Sequence, residues 1–256
     1  MITPGTPRTV VIIPARFGST RLPGKPLAEI AGKPMIQHVY ERAQRAQLVH
    51  DVIVATDDLR IITAVEKFGG RAVITPPDAP SGSDRIAHVA SRLPDAEIIV
   101  NVQGDEPFLP PAMIDEAIRP LHADPQVRVG TLARRIEDAV TLQDPAVVKV
   151  VLDSNGNALY FSRSPIPFGR DMTMTELLAG IPVYRHIGLY VYRREFLLHY
   201  TRLAQTPLEQ AEKLEQLRIL EHGERIRASI TEHESLPVDT PADLERVRER
   251  AGQSHG

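Results

Sequence analysis

The fold of this 256-residue sequence is constrained most by a regular alternation of short β-branched runs and amphipathic segments in its first half. The run TVVIIP is followed by a loop and by KPMIQHVYERAQRAQ, in which apolar residues recur at helical spacing. DVIVAT, RAVIT and AEIIVNVQ are further strand-like runs, separated by segments with helical patterns. The alternation predicts an α/β fold with a doubly wound, mostly parallel sheet and right-handed crossovers.

The pattern changes after about Leu121. VRVGTLARR and AVVKVVLDSNGNALYFSR are typical of strands, and Asn155-Gly156 predicts a hairpin turn within the second segment. AEKLEQLRILEHG predicts one helix, and PVDTPADLERVRERA predicts a final helix with capping residues at its start. We therefore predict an α/β domain formed by residues 1–154 and 191–256, with a small inserted lobe at 155–190.

Composition excludes several classes of partner. The chain has 30 basic and 33 acidic residues and a net charge of −3, which gives no general attraction to nucleic acid or anionic membranes. Cysteine is absent, so disulfides and thiolate metal sites are excluded. The N-terminal MITPGTPRTV lacks a signal-peptide pattern, and no apolar run approaches the roughly 20 residues of a membrane span. We expect a cytoplasmic globular protein without membrane or nucleic-acid partners.

A loop with three cations follows the first strand directly. In VVIIPARFGSTRLPGKPL, Arg16, Arg21 and Lys25 stand among glycines and small polar residues. Guanidinium and ammonium groups at the carboxyl end of a parallel strand are suited to phosphate. The loop matches neither a P-loop nor a dinucleotide fingerprint. The sequence thus favours a site for a polyanion, with a solvated basic turn as the alternative.

Two acidic segments also follow strand-like runs. Asp105 and Glu106 end the fourth strand in VQGDEPF, where we expect both to face the same crevice as the cationic loop, and Asp239 precedes the last helix in PVDTPADL. Asp105 and Asp239 together could hold Mg²⁺ on a bound nucleotide, because Mg²⁺ takes one or two carboxylates plus substrate phosphates. The alternatives are an ordinary acidic turn and an acid that complements a helix dipole.

Two further groups of polar residues have a functional and a structural interpretation. Ser81, Gly82 and Ser83 precede a helix, where free N–H groups bind anions or base carbonyls, but simple N-capping is the favoured interpretation of Ser83 taken alone. Arginine and histidine in FSRSPIP and YRHIGLYVYR, with the acid and amide of KLEQLR, would suit a hydroxylated carboxylic acid. A histidine inside a strand is also a common structural residue.

These motifs occur in an order that resembles the 3-deoxy-D-manno-octulosonate (KDO) cytidylyltransferases, also called CMP-KDO synthetases. The resemblance rests on IPARFGSTRLPGKPL, SGSDRIA, VNVQGDEPF, FSRSPIPF, RHIGLYVYRREFL, LEQLRIL and VDTPADLERV, and it covers about residues 8 to 250. It implies a nucleotidyltransferase-like variant of the Rossmann fold and transfer of CMP from CTP to KDO for lipopolysaccharide synthesis. It also implies Mg²⁺ as cofactor and a homodimer formed through the lobe at 155–190.

The resemblance also assigns residues. Those implied for the nucleotide are Pro14, Ala15, Arg16, Ser19, Arg21, Lys25, Ser81, Gly82, Asp84 and Gln103. Those implied for the sugar are Arg163, His186, Tyr190, Glu215 and Gln216. Asp105 and Asp239 are implied as metal ligands, and Arg16, Lys25 and Asp105 as the catalytic groups.

Three alternatives remain open from the sequence. Phe17-Gly18 and His88 depart from the common family pattern, which leaves room for a related acid sugar such as 8-amino-KDO or a sialic-type acid. A non-catalytic nucleotide-binding regulator could retain the same fold. A nicotinamide-dependent dehydrogenase shares the alternation but requires a glycine-rich turn that the first loop lacks.

Overall fold

The computed structural model describes residues 6–18 and 22–253, and its elements follow most of the predicted alternation. The strands are β1 (Thr9–Ala15), β2 (Glu29–Ile30), β3 (Lys33–Pro34), β4 (Asp51–Thr56), β5 (Ala72–Ile74), β6 (Ile98–Asn101), β7 (Val129–Arg135), β8 (Lys149–Leu152), β9 (Ala158–Ser162), β10 (Tyr184–Arg193) and β11 (Arg227–Ile230). The helices are α1 (Met35–Gln44), α2 (Leu59–Lys67), α3 (Gly82–Ala90), α4 (Pro111–Ala123), α5 (Ala139–Gln143), α6 (Met174–Gly180), α7 (Arg194–Tyr200), α8 (Pro207–Glu212), α9 (Gln216–Glu221) and α10 (Pro241–Gln253).

The chain divides into two compact units. Unit 1 comprises Met1–Asp115, Arg193–Thr201 and Glu234–Gly256. Unit 2 comprises Glu116–Tyr192 and Arg202–His233, and so contains the segment 155–190. The role of that segment as a dimerisation lobe stays a prediction. Within the part of the chain that the structure describes, no helix is both long and apolar enough to cross a membrane.

Unit 1 contains a parallel sheet with the strand order β6-β1-β4-β5. The β-branched run Val10–Ile13 of β1 is almost fully buried, because helices cover a central parallel strand on both faces. The apolar stripe of α1 is buried as its spacing predicts. The predicted α/β class with a mostly parallel sheet is thereby confirmed.

In unit 2 the strands pair both in parallel and antiparallel. In it β7 pairs in parallel with β11 and antiparallel with β10, and β8 pairs antiparallel with both β9 and β10. The predicted hairpin at Asn155-Gly156 is present: Gly156 has a φ of +79°, and the Asp153 side chain accepts hydrogen bonds from the N–H groups of Asn155 and Asn157. The turn residues therefore fix the β8–β9 register.

Two local predictions were wrong. The helix predicted from AEKLEQLRILEHG is divided into α8 and α9 at Lys213, which has a φ of +55°. Arg163 Nε donates to the carbonyl of Glu212 at 2.8 Å, so a contact distant in sequence fixes the chain where the helix divides. The stretch SPIPFGRDMTMTELLAGIP is rich in proline and glycine, which predicts an irregular segment, but it contains α6, whose start is closed by a reciprocal capping box between Thr173 and Glu176.

Candidate functional site

In unit 1 the carboxyl ends of β1 and β6 lie side by side. Gly104 follows β6, and a Cβ atom added there would lie 2.9 Å from the carbonyl oxygen of Pro14, so only glycine fits. A Cβ atom at Gly82, the first residue of α3, would lie 3.9 Å from the Pro14 ring. The predicted nucleotide segments around Pro14, Gly82 and Gln103 are thus neighbours at one edge of the sheet.

Lys25 lies at the centre of this edge. Its Nζ donates to Asp105 Oδ2 at 2.7 Å, to the carbonyl of Val238 at 2.9 Å and to Asp239 Oδ1 at 3.1 Å. The exposed fractions of the three ionic side chains are 15% for Lys25, 27% for Asp105 and 44% for Asp239. One ammonium therefore joins two carboxylates that are separated by more than 130 positions in the sequence.

The backbone before Lys25 is shaped for this contact. Gly24 has a φ of +70°, a region that favours glycine, and it precedes a 3₁₀ turn at Lys25–Leu27. The N–H of Gly24 donates to the carbonyl of Phe17, which closes the cationic loop at its base. The Arg60 guanidinium lies over the Phe17 ring, 3.3 Å from the ring centre.

Arg16 extends from the end of β1 as an exposed side chain, and no ion pair joins it to the residues that the structure describes. The other two predicted loop residues, Ser19 and Arg21, lie outside the described residues. Their predicted contacts with a triphosphate therefore stay predictions.

The two carboxylates are held from the backbone. The N–H of Val238 donates to the carbonyl of Asp105 at 2.9 Å, which ties the two acidic segments together. Val238 is fully buried in a cluster with Ile30, Leu244 and other apolar residues, so the position of Asp239 beside it is set by core packing.

The start of α10 fixes the backbone of Asp239 as well. Asp243 Oδ2 accepts hydrogen bonds from the N–H groups of Asp239 and Thr240, and the Thr240 hydroxyl accepts from the N–H of Asp243. Burial raises the pKa of Asp243, but hydrogen bonds from Thr240, Arg246 and the backbone outweigh it and lower the pKa from 3.8 to about 2. The predicted capping by Thr240 and Asp243 is confirmed.

Glu106 does not share the position of its neighbour. Its side chain is buried, and burial together with the charge of Asp105 raises its pKa to about 7, although the nearby Ser235 opposes the shift. The sequence placed Asp105 and Glu106 at the same crevice. Glu106 instead lies inside the protein, because the chain turns at Gly104 and Asp105, where the N–H of Glu106 donates to the carbonyl of Gln103.

The donor set at this edge suits a hard divalent cation. Asp105 and Asp239 supply two carboxylates to one point, and Mg²⁺ binds through one or two carboxylates together with substrate phosphates. Across residues 6–18 and 22–253, no group of three or more histidine or acidic side chains could hold a metal by itself. The residues therefore fit a metal that arrives with a phosphate ligand.

The start of α3 differs from its prediction. The N-cap is Ser81, not Ser83: the Ser81 hydroxyl accepts from the N–H of Asp84 at 3.2 Å and donates to Asp84 Oδ2 at 2.7 Å. Ser83 falls inside the helix on its buried face. Ser81 and Asp84 are thus fixed to each other beside Gly82.

An ion pair behind α3 was missed by sequence reasoning. Arg85 is buried, and it donates to Asp57 Oδ2 at 2.9 Å and to the hydroxyl of Thr75. The pair joins the ends of β4 and β5 to the helix that begins at Gly82. One signal was available, because Arg85 lies next to Ile86 on the apolar face of its helix, where a cation requires a partner.

The predicted sugar residues all belong to unit 2. His186 and Tyr190 on β10 are in ring contact, with centres 5.3 Å apart, and Phe161 packs edge-on against His186 at 5.0 Å. Burial lowers the pKa of His186 to about 3, so its imidazole is neutral at physiological pH.

Arg163 makes hydrogen bonds within the protein that the sequence did not predict. Its guanidinium donates to the backbone carbonyls of Glu212 and Pro145, and the ammonium of the fully buried Lys149 donates to the carbonyl of Arg163 itself. Glu215 is exposed before α9, and Gln216, the first residue of that helix, is buried. The roles of these residues toward a sugar stay predictions.

Comparisons with known proteins agree with the fold and with the motifs. Residues 10–226 match the family described as Cytidylyltransferase. The 3-deoxy-manno-octulosonate cytidylyltransferase of Geobacter sulfurreducens is 60% identical over 93% of this chain and 97% of its own length. The protein of the same name from Geobacter metallireducens is 58% identical over 95% of this chain and 97% of its own length.

A solved structure is similar throughout. The structure of CMP:2-keto-3-deoxy-manno-octonic acid synthetase complexed with CTP superposes with a TM-score of 0.90 at 45% identity. The match covers 96% of this chain and 99% of that one. The similarity therefore extends over both compact units.

Proposed function

Because this chain belongs to the cytidylyltransferase family, we propose that it transfers CMP from CTP to KDO, giving CMP-KDO and pyrophosphate. The observation that carries the proposal is the convergence of Lys25, Asp105 and Asp239 at the carboxyl edge of the parallel sheet in unit 1. Relatives that are named for this activity match the chain over nearly its whole length. The product would supply activated KDO to lipopolysaccharide synthesis.

In the proposed reaction the anomeric hydroxyl of KDO attacks the α-phosphorus of CTP. The new bond joins that oxygen to phosphorus as the hydroxyl proton passes to water, the bond from phosphorus to the β-phosphate oxygen breaks, and pyrophosphate leaves with the electron pair. No covalent step on the protein is needed, so positioning and stabilisation of charge carry the catalysis. Lys25 and Arg16 supply positive charge where negative charge develops on the phosphates.

The base and the sugar would each have their own binding residues. The N-terminus of α3 lies beside Pro14 of β1, and its N–H groups, together with Ser81, Gly82 and Asp84, would bind the cytosine. His186 and Tyr190 offer a neutral imidazole and an aromatic surface to the acid sugar.

We propose Mg²⁺ as the cofactor, held by Asp105 and Asp239. When bound, the ion would offset charge on the phosphate oxygens and favour departure of pyrophosphate. Asp105→Asn should raise the Mg²⁺ concentration needed for half-maximal activity at least about tenfold, since one charged ligand is lost. An unchanged Mg²⁺ titration would remove Asp105 from the metal shell, and Glu41→Gln, a change at an acid paired with Lys33, is the matched control.

We also propose a homodimer formed through unit 2. The segment before α6 carries Phe168, which is 88% exposed, and Met172; Ile181 at the end of α6 and Val140 on α5, a helix that contacts α6, are also exposed apolar residues. Apolar side chains grouped on a surface mark contact sites more often than scattered ones do. The cytoplasmic location expected from the sequence stays a prediction.

The activity is tested by release of pyrophosphate from each of CTP, UTP, ATP and GTP, in combination with KDO, 8-amino-KDO and a sialic acid. We expect release with CTP and KDO far above every other combination. Higher turnover with another acid sugar would show that this sugar, and not KDO, is the substrate. Binding of CTP without release of pyrophosphate under any condition would favour the alternative of a non-catalytic nucleotide-binding regulator.

A further inference from the structure

Thr131 on β7 contacts β10 where the pairing of the two strands is irregular. The register between β7 and β10 shifts between Ile187 and Tyr190, and Thr131 pairs with Tyr190 just after the shift. The Thr131 side chain is buried, with 1% of the residue exposed. Its hydroxyl lies 2.9 Å from the carbonyl of Leu189, 3.2 Å from the carbonyl of Ile187 and 3.0 Å from Nε2 of His186.

The number of protons available in this contact decides which group donates each hydrogen bond. A threonine hydroxyl has one proton to donate, and a carbonyl oxygen only accepts. If the Thr131 proton pointed at His186, two carbonyl oxygens would face the hydroxyl oxygen without a proton between them. The proton therefore goes to the nearer carbonyl, that of Leu189, and the bond with His186 requires a proton on Nε2.

Because a neutral imidazole has a single N–H, a proton on Nε2 leaves Nδ1 as an acceptor. The His186 ring is held on one side by Phe161 and on another by Tyr190, so it has a fixed orientation. The low pKa of the ring keeps it neutral across the physiological range. Among the described residues Nδ1 has no protein hydrogen-bond partner, which leaves it available to a ligand.

We propose that Thr131 is a positioning residue that fixes His186 as its Nε2–H tautomer, so that Nδ1 accepts a hydrogen bond from a hydroxyl of the sugar acid. This inference rests on the proposed function for the identity of the ligand, but the tautomer is a property of the free protein. It also adds a preference: His186 recognises a hydroxyl donor at its position and disfavours a group that only accepts.

The tautomer is measured directly by long-range proton–nitrogen NMR on the full chain labelled with ¹⁵N-histidine. His186→Gln identifies the His186 signals by their loss. In the wild-type protein without substrate we expect a protonated Nε2 and an unprotonated Nδ1. A protonated Nδ1 in this sample overturns the proposal whatever any variant does.

Thr131→Val keeps the shape of the side chain and removes the hydroxyl, so the tautomer population should move toward protonated Nδ1. Thr131→Ser keeps the hydroxyl and should retain the wild-type tautomer. The matched control is Thr231→Val, which removes a buried hydroxyl that accepts from the N–H of His233 in the same unit. An unchanged tautomer in Thr131→Val overturns the proposal.

Kinetics separates positioning from a general structural effect. Thr131→Val should raise the KM for KDO about tenfold, as expected for one neutral hydrogen bond, with the KM for CTP unchanged and recovery in Thr131→Ser. Equal increases in both KM values would overturn the positioning role. A wild-type enzyme that is inactive with KDO would contradict the proposed function. The tautomer measurement does not depend on that activity, so its result would still test the role of Thr131.

Discussion

Lys25 joins three segments that are far apart in the sequence: the cationic loop, the end of β6 and the approach to α10. Its ammonium is mostly buried against two carboxylates and one carbonyl, and a charge in this position acts more strongly than one in open solvent. We infer that this single side chain links binding of a triphosphate to the acids that would hold its cation.

Lys25→Met should lower kcat by roughly 100-fold or more, the scale seen when one group that stabilises developing charge is removed, with little change in Tm. The matched control is Lys33→Met, which removes an ammonium paired with Glu41 on the surface and should keep normal turnover. Steady-state pyrophosphate release and thermal unfolding measure both effects. Near-normal turnover in Lys25→Met would exclude Lys25 from the phosphate site.

The buried pair of Arg85 and Asp57 makes a separate prediction. Arg85→Met should destabilise the protein by about 3 kcal/mol, because removal of one partner leaves the other charge uncompensated. The double variant Arg85→Met/Asp57→Leu should recover part of this loss. Urea unfolding measures the free energies, and additive losses in the double variant would show that the two residues do not interact.

At the scale of elements, the period of the apolar residues was sufficient to predict β1, α1, β4, α2 and β6, because each buries a regular stripe or run. The break between α8 and α9 was not predictable, since the sequence there is helical throughout and the contact at Glu212 comes from Arg163. The N-cap of α3 was misplaced by two residues for a related reason: both serines are good caps, and only the folded backbone, extended at Ser81 with a φ of −141° and helical from Gly82, distinguishes them.

The start of α10 carries a pH-dependent contribution to stability. The pKa of Asp243 in the folded protein is about 2, below its ordinary value of 3.8, so its contribution is fully present above pH 4 and is lost as the pH falls through 2. Asp243→Asn should therefore flatten the pH dependence of the unfolding free energy between pH 4 and 2 and cost about 1 kcal/mol at pH 7.

Chemical unfolding across this pH range measures the effect. Glu245→Gln alters an exposed acid two residues later that pairs with Arg248, and it should leave the profile unchanged. A profile of Asp243→Asn that parallels the wild type would contradict the capping role.

At the scale of the whole molecule, the sequence indicated that distant segments form one site but not how they meet. The acids Asp105 and Asp239 were grouped because both follow strands, and the structure places them on one ammonium. Arg85 and Thr131 were not identified, because each acts through a partner that only the folded chain brings near. Sequence patterns thus predict which edge of a sheet carries chemistry better than they predict the contacts that hold it.

The proposed dimer is tested at this scale by sedimentation. Phe168→Asp should shift the wild-type dimer toward monomer, since it places a charge on the most exposed aromatic side chain among the described residues. Leu208→Asp, at an exposed apolar position in the first turn of α8, is the control and should remain dimeric. A monomeric wild-type protein, or a dimer insensitive to Phe168→Asp, would contradict the proposed interface.

The proposed reaction depends on Asp105 and Asp239 together holding a divalent cation on the phosphates of CTP. The most direct measurement is anomalous diffraction from crystals of the protein grown with CTP and Mn²⁺. We expect an anomalous peak in contact with both carboxylates and with phosphate oxygens, and Lys25 in contact with the triphosphate. Bound CTP with its metal peak away from Asp105 and Asp239 would contradict it.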